Sequence, residues 1–190
     1  RVVGVEGAVQ AHSRTGNIEV SDCLGSVILN AENGGVLVHD AEGGVDITCG
    51  RGAVRVEGVM GRVRARVNRG AFSAEDVRGQ VIVRVREGAA ALRGGRGRVQ
   101  LETGSGDIEG VLGVGHHEVR LITRRGRLAL TLGAVEGNVD AESVSGDIVL
   151  ALRPAFLGRL EAMTHRGELR AALSAGAPQL LPDRLDAQVG

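Results

Sequence analysis

The chain has no tryptophan, no tyrosine and no lysine, and only two phenylalanines, three prolines and two cysteines among 190 residues. Without large rings the interior must be thin and regular, filled by Val, Ala, Leu and Ile. The composition, 43% hydrophobic and 24% charged, is that of a globular chain and not of a disordered one. Glycine at 31 positions with so little proline excludes both collagen and a Pro/Gly linker. No apolar run approaches the ~18 residues of a membrane-spanning helix, so membrane attachment is expected only through segments outside these residues. The chain opens on Arg1 and not on Met, which leads us to expect a longer reading frame and leaves the compartment open. Cys23 and Cys49 stand 26 residues apart and match neither a zinc spacing nor an evident disulfide. Two isolated, partly buried thiols are the expectation.

All 23 basic residues are arginine and are balanced by 23 acids. The balance is uneven: 2 Arg against 7 acids over residues 1–50, 12 against 4 over 51–98, and 9 against 12 over 99–190.

Glycine supplies the organising signal. It recurs every nine positions from Gly7 through Gly16 and Gly25 to Gly115, thirteen times without a miss. The pattern restarts at Gly126, Gly137, Gly146, Gly158 and Gly167, for eighteen units. Counting each unit from its Gly, the third and fifth places are apolar, as in Val27 and Leu29, Val45 and Ile47, or Val81 and Val83, and the intervening places are mostly polar or small. The one exception at the third place is His117, in a unit two residues too long, where Val119 and Leu121 take over the role. Alternation with period two, rich in β-branched residues, describes a half-buried strand. The four residues between strands are too few for a crossover helix and make a corner, where Gly supplies backbone angles that other residues resist. A meander of hairpins would favour two-residue Asn-Gly or Asp-Gly turns, which are missing.

The eighth place alternates between small or apolar (Cys23, Ala41, Val59) and mostly polar (Arg14, Glu32, Asn68), so the true period is eighteen. We therefore expect an all-β fold, a single-stranded parallel β-solenoid with two short strands per ~18-residue coil and about nine coils, stacked at ~4.8 Å. A triangular coil of 27 residues is the alternative. The repeat domain spans 1–173, and 174–190, containing Pro178 and Pro182, forms either a C-terminal cap or an unstructured tail. Extra residues near His116, Ala134 and Pro154 are expected to bulge as loops.

Two units, Ser105-Gly106-Asp107-Ile108 and Ser145-Gly146-Asp147-Ile148, carry a full Ser-Gly-Asp-Ile signature, with Thr15-Gly16-Asn17-Ile18 a weaker copy. Over roughly residues 5–173 the chain resembles a bacterial family of adhesin-type domains of unknown function, built from repeated short strands with that signature. The resemblance implies a parallel β-solenoid, an extracytoplasmic or cell-surface location and frequent attachment to a membrane segment. It supplies no common activity.

No catalytic, cofactor or metal-binding set emerges. Calcium-binding β-rolls share the nine-residue glycine period, but the second Gly and the Asp of that repeat are missing from nearly every corner. Asp107 and Asp147 face the same sheet with several coils between them, too far for a glycosidase pair, and read as corner Asp residues bonding amides. Ser105 and Ser145 lack the strand-to-helix turn of a nucleophile elbow. His12, His39, His116, His117 and His165 share no position in the repeat; His116 and His117 fall in an irregular loop.

The strongest surface feature is basic. Arg62, Arg64 and Arg66 point outward from one strand, Arg84 lies one coil further and Arg98 one beyond that, a possible anion-binding patch. Arg69 and Arg86 lie near the corners. The plainer reading is that outward Arg solubilises the sheet and is answered by acids on neighbouring strands. No aromatic side chain interleaves with the arginines, so specific nucleic-acid binding is not expected. The leading expectation is a non-catalytic structural or adhesive module, with an anionic cell-surface polymer or another protein as partner. The alternative is a self-assembling scaffold of the bactofilin type, associating end to end.

Overall fold

The computed structural model of the chain describes residues 1–113, 115–153, 156–173, 179–181 and 183–189. No helix occurs among them; successive strands alternate between two sheets. The ten-stranded sheet takes β2 (Val9–Thr15), β4 (Val27–Asn33), β6 (Val45–Arg51), β8 (Val63–Arg69), β10 (Val81–Glu87), β12 (Gly97–Ser105), β14 (Gly115–Thr123), β16 (Val135–Ser143), β18 (Leu157–Thr164) and β21 (Arg184–Val189). The eleven-stranded sheet takes β1 (Val2–Val5), β3 (Ile18–Cys23), β5 (Val36–Ala41), β7 (Val54–Val59), β9 (Phe72–Glu75), β11 (Ala90–Arg93), β13 (Ile108–Leu112), β15 (Leu128–Leu132), β17 (Ile148–Leu152), β19 (Leu169–Leu173) and β20 (Gln179–Leu181). Every neighbouring pair as far as β18 and β19 is parallel, which makes the chain a β-solenoid of about nine coils with two strands each.

Register follows the repeat. Partners lie eighteen positions apart in the first coils, as in Val63 with Val81 and Val81 with Val99. The step becomes twenty from Val99 to Val119, as expected from His117, and twenty-one from Val139 to Leu160. The added residues all enter at one corner of the coil, between Leu112 and His117 and again between Leu152 and Leu157. The opposite corner stays in step, Gly88, Gly106, Gly126 and Gly146 donating in turn to the carbonyls of Ser105, Arg125, Ser145 and Arg166 at 2.8–3.0 Å.

The longer units do not bulge at His116 or Ala134 as expected. Strands β14 and β16 run to nine residues each, and His116 pairs with Glu136 inside the ladder. Extending a strand gives each added amide a ladder partner, whereas looping out would leave it to solvent. Pro154 lies outside the described residues. At the C-terminus, β20 runs antiparallel to β19 and β21 antiparallel to β18, so the chain folds back along the final edge of both sheets. Pro178 and Pro182 lie outside the described residues.

The inward columns form one narrow core of aliphatic side chains, with Val20, Val38 and Val56 stacked and inaccessible. Each fully buried Val contributes roughly 1.5–3 kcal/mol. Volume is balanced coil by coil: Phe72 is paired with Ala74 on its own strand and Ala90 on the next, and the buried Gly110 makes room for Leu130, whose Cδ1 would sit 2.6 Å from an added Cβ.

Candidate anion-binding face

Because strand side chains alternate, every second residue of the ten-stranded sheet faces solvent, and parallel register stacks these residues into columns ~4.8 Å apart. One outward column runs Thr48, Arg66, Arg84, Glu102, and its neighbour runs Asp46, Arg64, Ile82, Gln100. Arg62 immediately precedes β8 and is exposed, with Gln80 at the same place in the next coil and Arg98 in the one after. The register thus brings all five arginines expected from the sequence onto one face.

Their electrostatic situations differ. Arg84 Nε donates to Glu102 Oε2 at 3.2 Å, and Arg98 Nη2 lies 2.6 Å from Glu118 Oε2. Arg69 likewise pairs with Glu87 at 3.1 Å. For these three the plainer reading, arginine answered by acid on the adjacent strand, describes what is seen. Arg62, Arg64 and Arg66 have no carboxylate within 4.0 Å among the described residues. Arg66 and Arg84 are also direct ladder partners, a like-charge stack that costs stability.

Two further arginines belong to this face: Arg86, which the sequence places near a corner, and Arg124, which sequence reasoning missed. Arg86 donates to Asn68 Oδ1 at 3.4 Å, and Arg124, exposed just beyond β14, has no carboxylate within 4.0 Å among the described residues. Together with Arg66 and Arg84 they line a depression of about 450 Å³ that crosses five strands, from Thr48 and Gly50 on β6 to Glu102 and Gly104 on β12 and Arg124. Arg86 falls at the eighth place of its unit; Arg124, tenth from Gly115, takes the equivalent place once the two extra residues of that unit are allowed for, and that shifted count was the available signal.

The residues weighed for catalysis have structural partners. Asp107 Oδ1 accepts the amide of Arg127 at 2.7 Å, Asp147 Oδ1 accepts that of Glu168 at 2.9 Å, and Asn17 Oδ1 that of Gly35 at 2.7 Å. Each corner Asx thus ties its coil to the next. Arg127 is the only residue stacked between Asp107 and Asp147, so one coil separates them and not several. Two stacking steps still put them about 10 Å apart. The carbonyls of Ser105 and Ser145 accept corner Gly amides. His117 is not in a loop: it lies in β14, buried, at the ladder place that Gly97 and Gly137 occupy in adjacent coils.

Cys23 and Cys49 are free, buried and on different sheets. Burial pushes the Cys49 thiol above its ordinary value of 9.0. Cys49 lies in an inward column that starts at Ser13 and Ala31 and becomes polar further along, at Thr103, Thr123, Ser143 and Thr164. The hydroxyls of Thr103 and Thr123 both donate to the Gly106 carbonyl, at 3.0 and 3.1 Å, and Thr164 donates to Gly146 at 3.0 Å. These bonds tether the inside of the corner beside the basic depression.

Fold and face together define a β-solenoid repeat protein with an uncompensated basic stretch on one sheet. No protein-family model, no curated protein and no solved structure matches the chain.

Proposed function

We propose that the chain is a non-catalytic structural and adhesive module that presents the outer face of its ten-stranded sheet to an anionic polymer at the cell surface. The observation carrying this reading is the set Arg62, Arg64 and Arg66. In a chain of zero formal net charge, with acids on neighbouring strands pairing Arg69, Arg84 and Arg98, these three face outward with no carboxylate within 4.0 Å among the described residues, Asp46 beside Arg64 included. Such a set attracts polyanions by charge and by forked hydrogen bonds from each guanidinium. The resemblance to adhesin-type domains supports the same reading.

The bactofilin-like scaffold is the less favoured reading. Stacking coil on coil needs open edges at both ends, and β20 and β21 run antiparallel across the final pair. At the other end β1 and β2 each have a single neighbour and continue the parallel stack outward, whereas the strands that close the C-terminal end run antiparallel and break the coil-on-coil register.

Retention on immobilised heparin, read as the salt concentration at elution, tests the proposal. The triple variant R62S/R64S/R66S is expected to elute at markedly lower salt, because fewer counterions are exchanged on binding. Elution unchanged in a variant with wild-type circular dichroism would overturn it.

A further inference from the structure

We infer that the depression at the Gly106 corner is a subsite for a carboxylate-bearing polysaccharide, held with its chain along the solenoid axis. The inference rests on the polyanion-binding reading above and names its ligand class.

The site is a trench with two walls. Thr48, Arg66, Arg84 and Glu102 form one wall as a continuous ladder column. The eighth-place residues form the other: Gly50, Asn68, Arg86, Gly104 and, one coil further, Arg124. The two glycines in the second wall cannot be filled. A Cβ on Gly50 would overlap the Glu32 carbonyl oxygen, and one on Gly104 would come within 2.6 Å of the Arg86 carbonyl oxygen. The stacking of the coils itself therefore keeps these two places in the wall free of side chains, so a chain-like ligand can lie lengthwise.

Four arginines against one glutamate give the lining a formal charge of +3 in a neutral protein. Arg66 and Arg124 have no carboxylate of their own within 4.0 Å among the described residues. Arg66 and Arg84 are adjacent at ~4.8 Å, close enough to share one carboxylate; Arg86 and Arg124, two coils apart, are placed for a second.

The other polar groups select a sugar over other polyanions. Asn68 gives its oxygen to Arg86 and keeps its NH₂ to donate. Glu102 gives Oε2 to Arg84 and keeps Oε1 as an acceptor. Thr48 offers a hydroxyl. The Glu102 carboxylate lowers the attraction for any polyanion alike, but its free oxygen accepts a hydrogen bond from a sugar hydroxyl, a donor that phosphate and sulfate groups lack. Nucleic acid would also want ring stacking, and the lining has no aromatic residue.

The test is titration of the protein with a galacturonate hexasaccharide at low salt, followed by calorimetry or amide chemical shifts, with maltohexaose and a twelve-nucleotide oligo-dT in parallel. The galacturonate hexamer is expected to bind, maltohexaose not to, and oligo-dT more weakly than the hexamer. R66Q/R124Q should weaken hexamer binding at least about tenfold, since each lost charge-assisted bond is a substantial part of a weak affinity. Glu102→Gln should weaken it as well, whereas attraction by charge alone would strengthen it. Heparin retention without hexamer binding, tighter binding of oligo-dT, or stronger hexamer binding by Glu102→Gln would each overturn this inference and leave the polyanion reading standing. R62S/R64S, which leaves every trench residue in place, should lower heparin retention with hexamer binding unchanged, whereas unchanged hexamer binding in R62S/R64S/R66S, which removes Arg66 from the trench wall, would overturn this inference.

Discussion

Replacing Gly70 by Ala isolates the corner stack on which the winding depends. Gly70 has φ +142°, and a Cβ there would overlap the carbonyl oxygen of Gly52 in the preceding coil. A non-glycine residue held in such a sparsely populated region costs of order 1–3 kcal/mol. The overlap adds to this, because backbone cannot rotate away as a side-chain tip does. Relief requires separating two coils, which weakens the bond from the Gly70 amide to the Glu87 carbonyl, now 2.9 Å, worth about 1 kcal/mol net. We expect Gly70→Ala to cost about 3 kcal/mol or more. Gly7→Ala is the control, since nothing lies within 4 Å of a Cβ at Gly7 and its φ is not positive; there the reduced entropy of the unfolded chain gives a change of about 0.4–1 kcal/mol in the stabilising direction. With neither Trp nor Tyr in the chain, urea unfolding is best followed by far-ultraviolet circular dichroism. Because each coil contacts only its neighbours, a weakened corner lets the variant unfold in two steps, so the slope is read along with the midpoint. A cost for Gly70→Ala below about 1 kcal/mol, or equal to that of Gly7→Ala, would refute the steric account of the nine-residue glycine period.

Two further outcomes follow from burial and from register. The Cys49 thiol, raised above 9.0 by burial, is expected to react with a maleimide at pH 7.5 far more slowly than in urea-unfolded protein. Since its folded value exceeds the unfolded one, the neutral thiol's contribution to stability is complete below the unfolded value and is lost as pH climbs past 9.0 toward the folded value; native labelling as fast as unfolded labelling would contradict this. The second outcome concerns insertion. Two extra residues between Gly43 and Val45, at a corner opening the ten-stranded sheet, should change the urea midpoint little, whereas the same two between Gly52 and Val54, at the Gly106-type corner, should cost several-fold more. Equal sensitivity would show that the natural placement of extra residues carries no structural information.

The winding could be read from the sequence because it is written in side-chain periods. A Gly every nine places and a β-branched residue two places later state both corner and strand, and Val63, Val81 and Val99 stack as the count requires. What could not be read depends on choices the backbone makes once stacked. The two-residue shift at His117 was legible from Val119 and Leu121, but not that Gly115 and His116 would lengthen β14 instead of looping out, since that depends on the ladder partners the next coil supplies. Asp22, Asp40 and Asp76 adopt positive φ of 51–55° at the far corner, where Asx is tolerated but no motif announces it. The five expected arginines were placed correctly by alternation. Their division into paired and unpaired was not, because Glu102 and Glu118 meet Arg84 and Arg98 only once coils of 18 and 20 residues are aligned. Arg124 escaped because it lies at a corner of a lengthened unit, tenth from Gly115, where period two no longer tells which way a side chain points.

The two corners of the coil divide the work of the molecule. All variation in coil length enters at the corner between the eleven- and ten-stranded sheets, while the Gly106 corner holds its register through glycine stacking, through Asn17, Asp107 and Asp147 bonding the following coil, and through the inward hydroxyls of Thr103, Thr123 and Thr164. The basic trench lies against this second corner. A ligand that spans several coils needs its anchors at fixed spacing, and only a corner that tolerates no insertion can guarantee that spacing. The like-charge stack of Arg66 on Arg84 is tolerable for the same reason: the core columns beneath supply the stability, so outward columns are free to carry an arrangement that folding alone would disfavour.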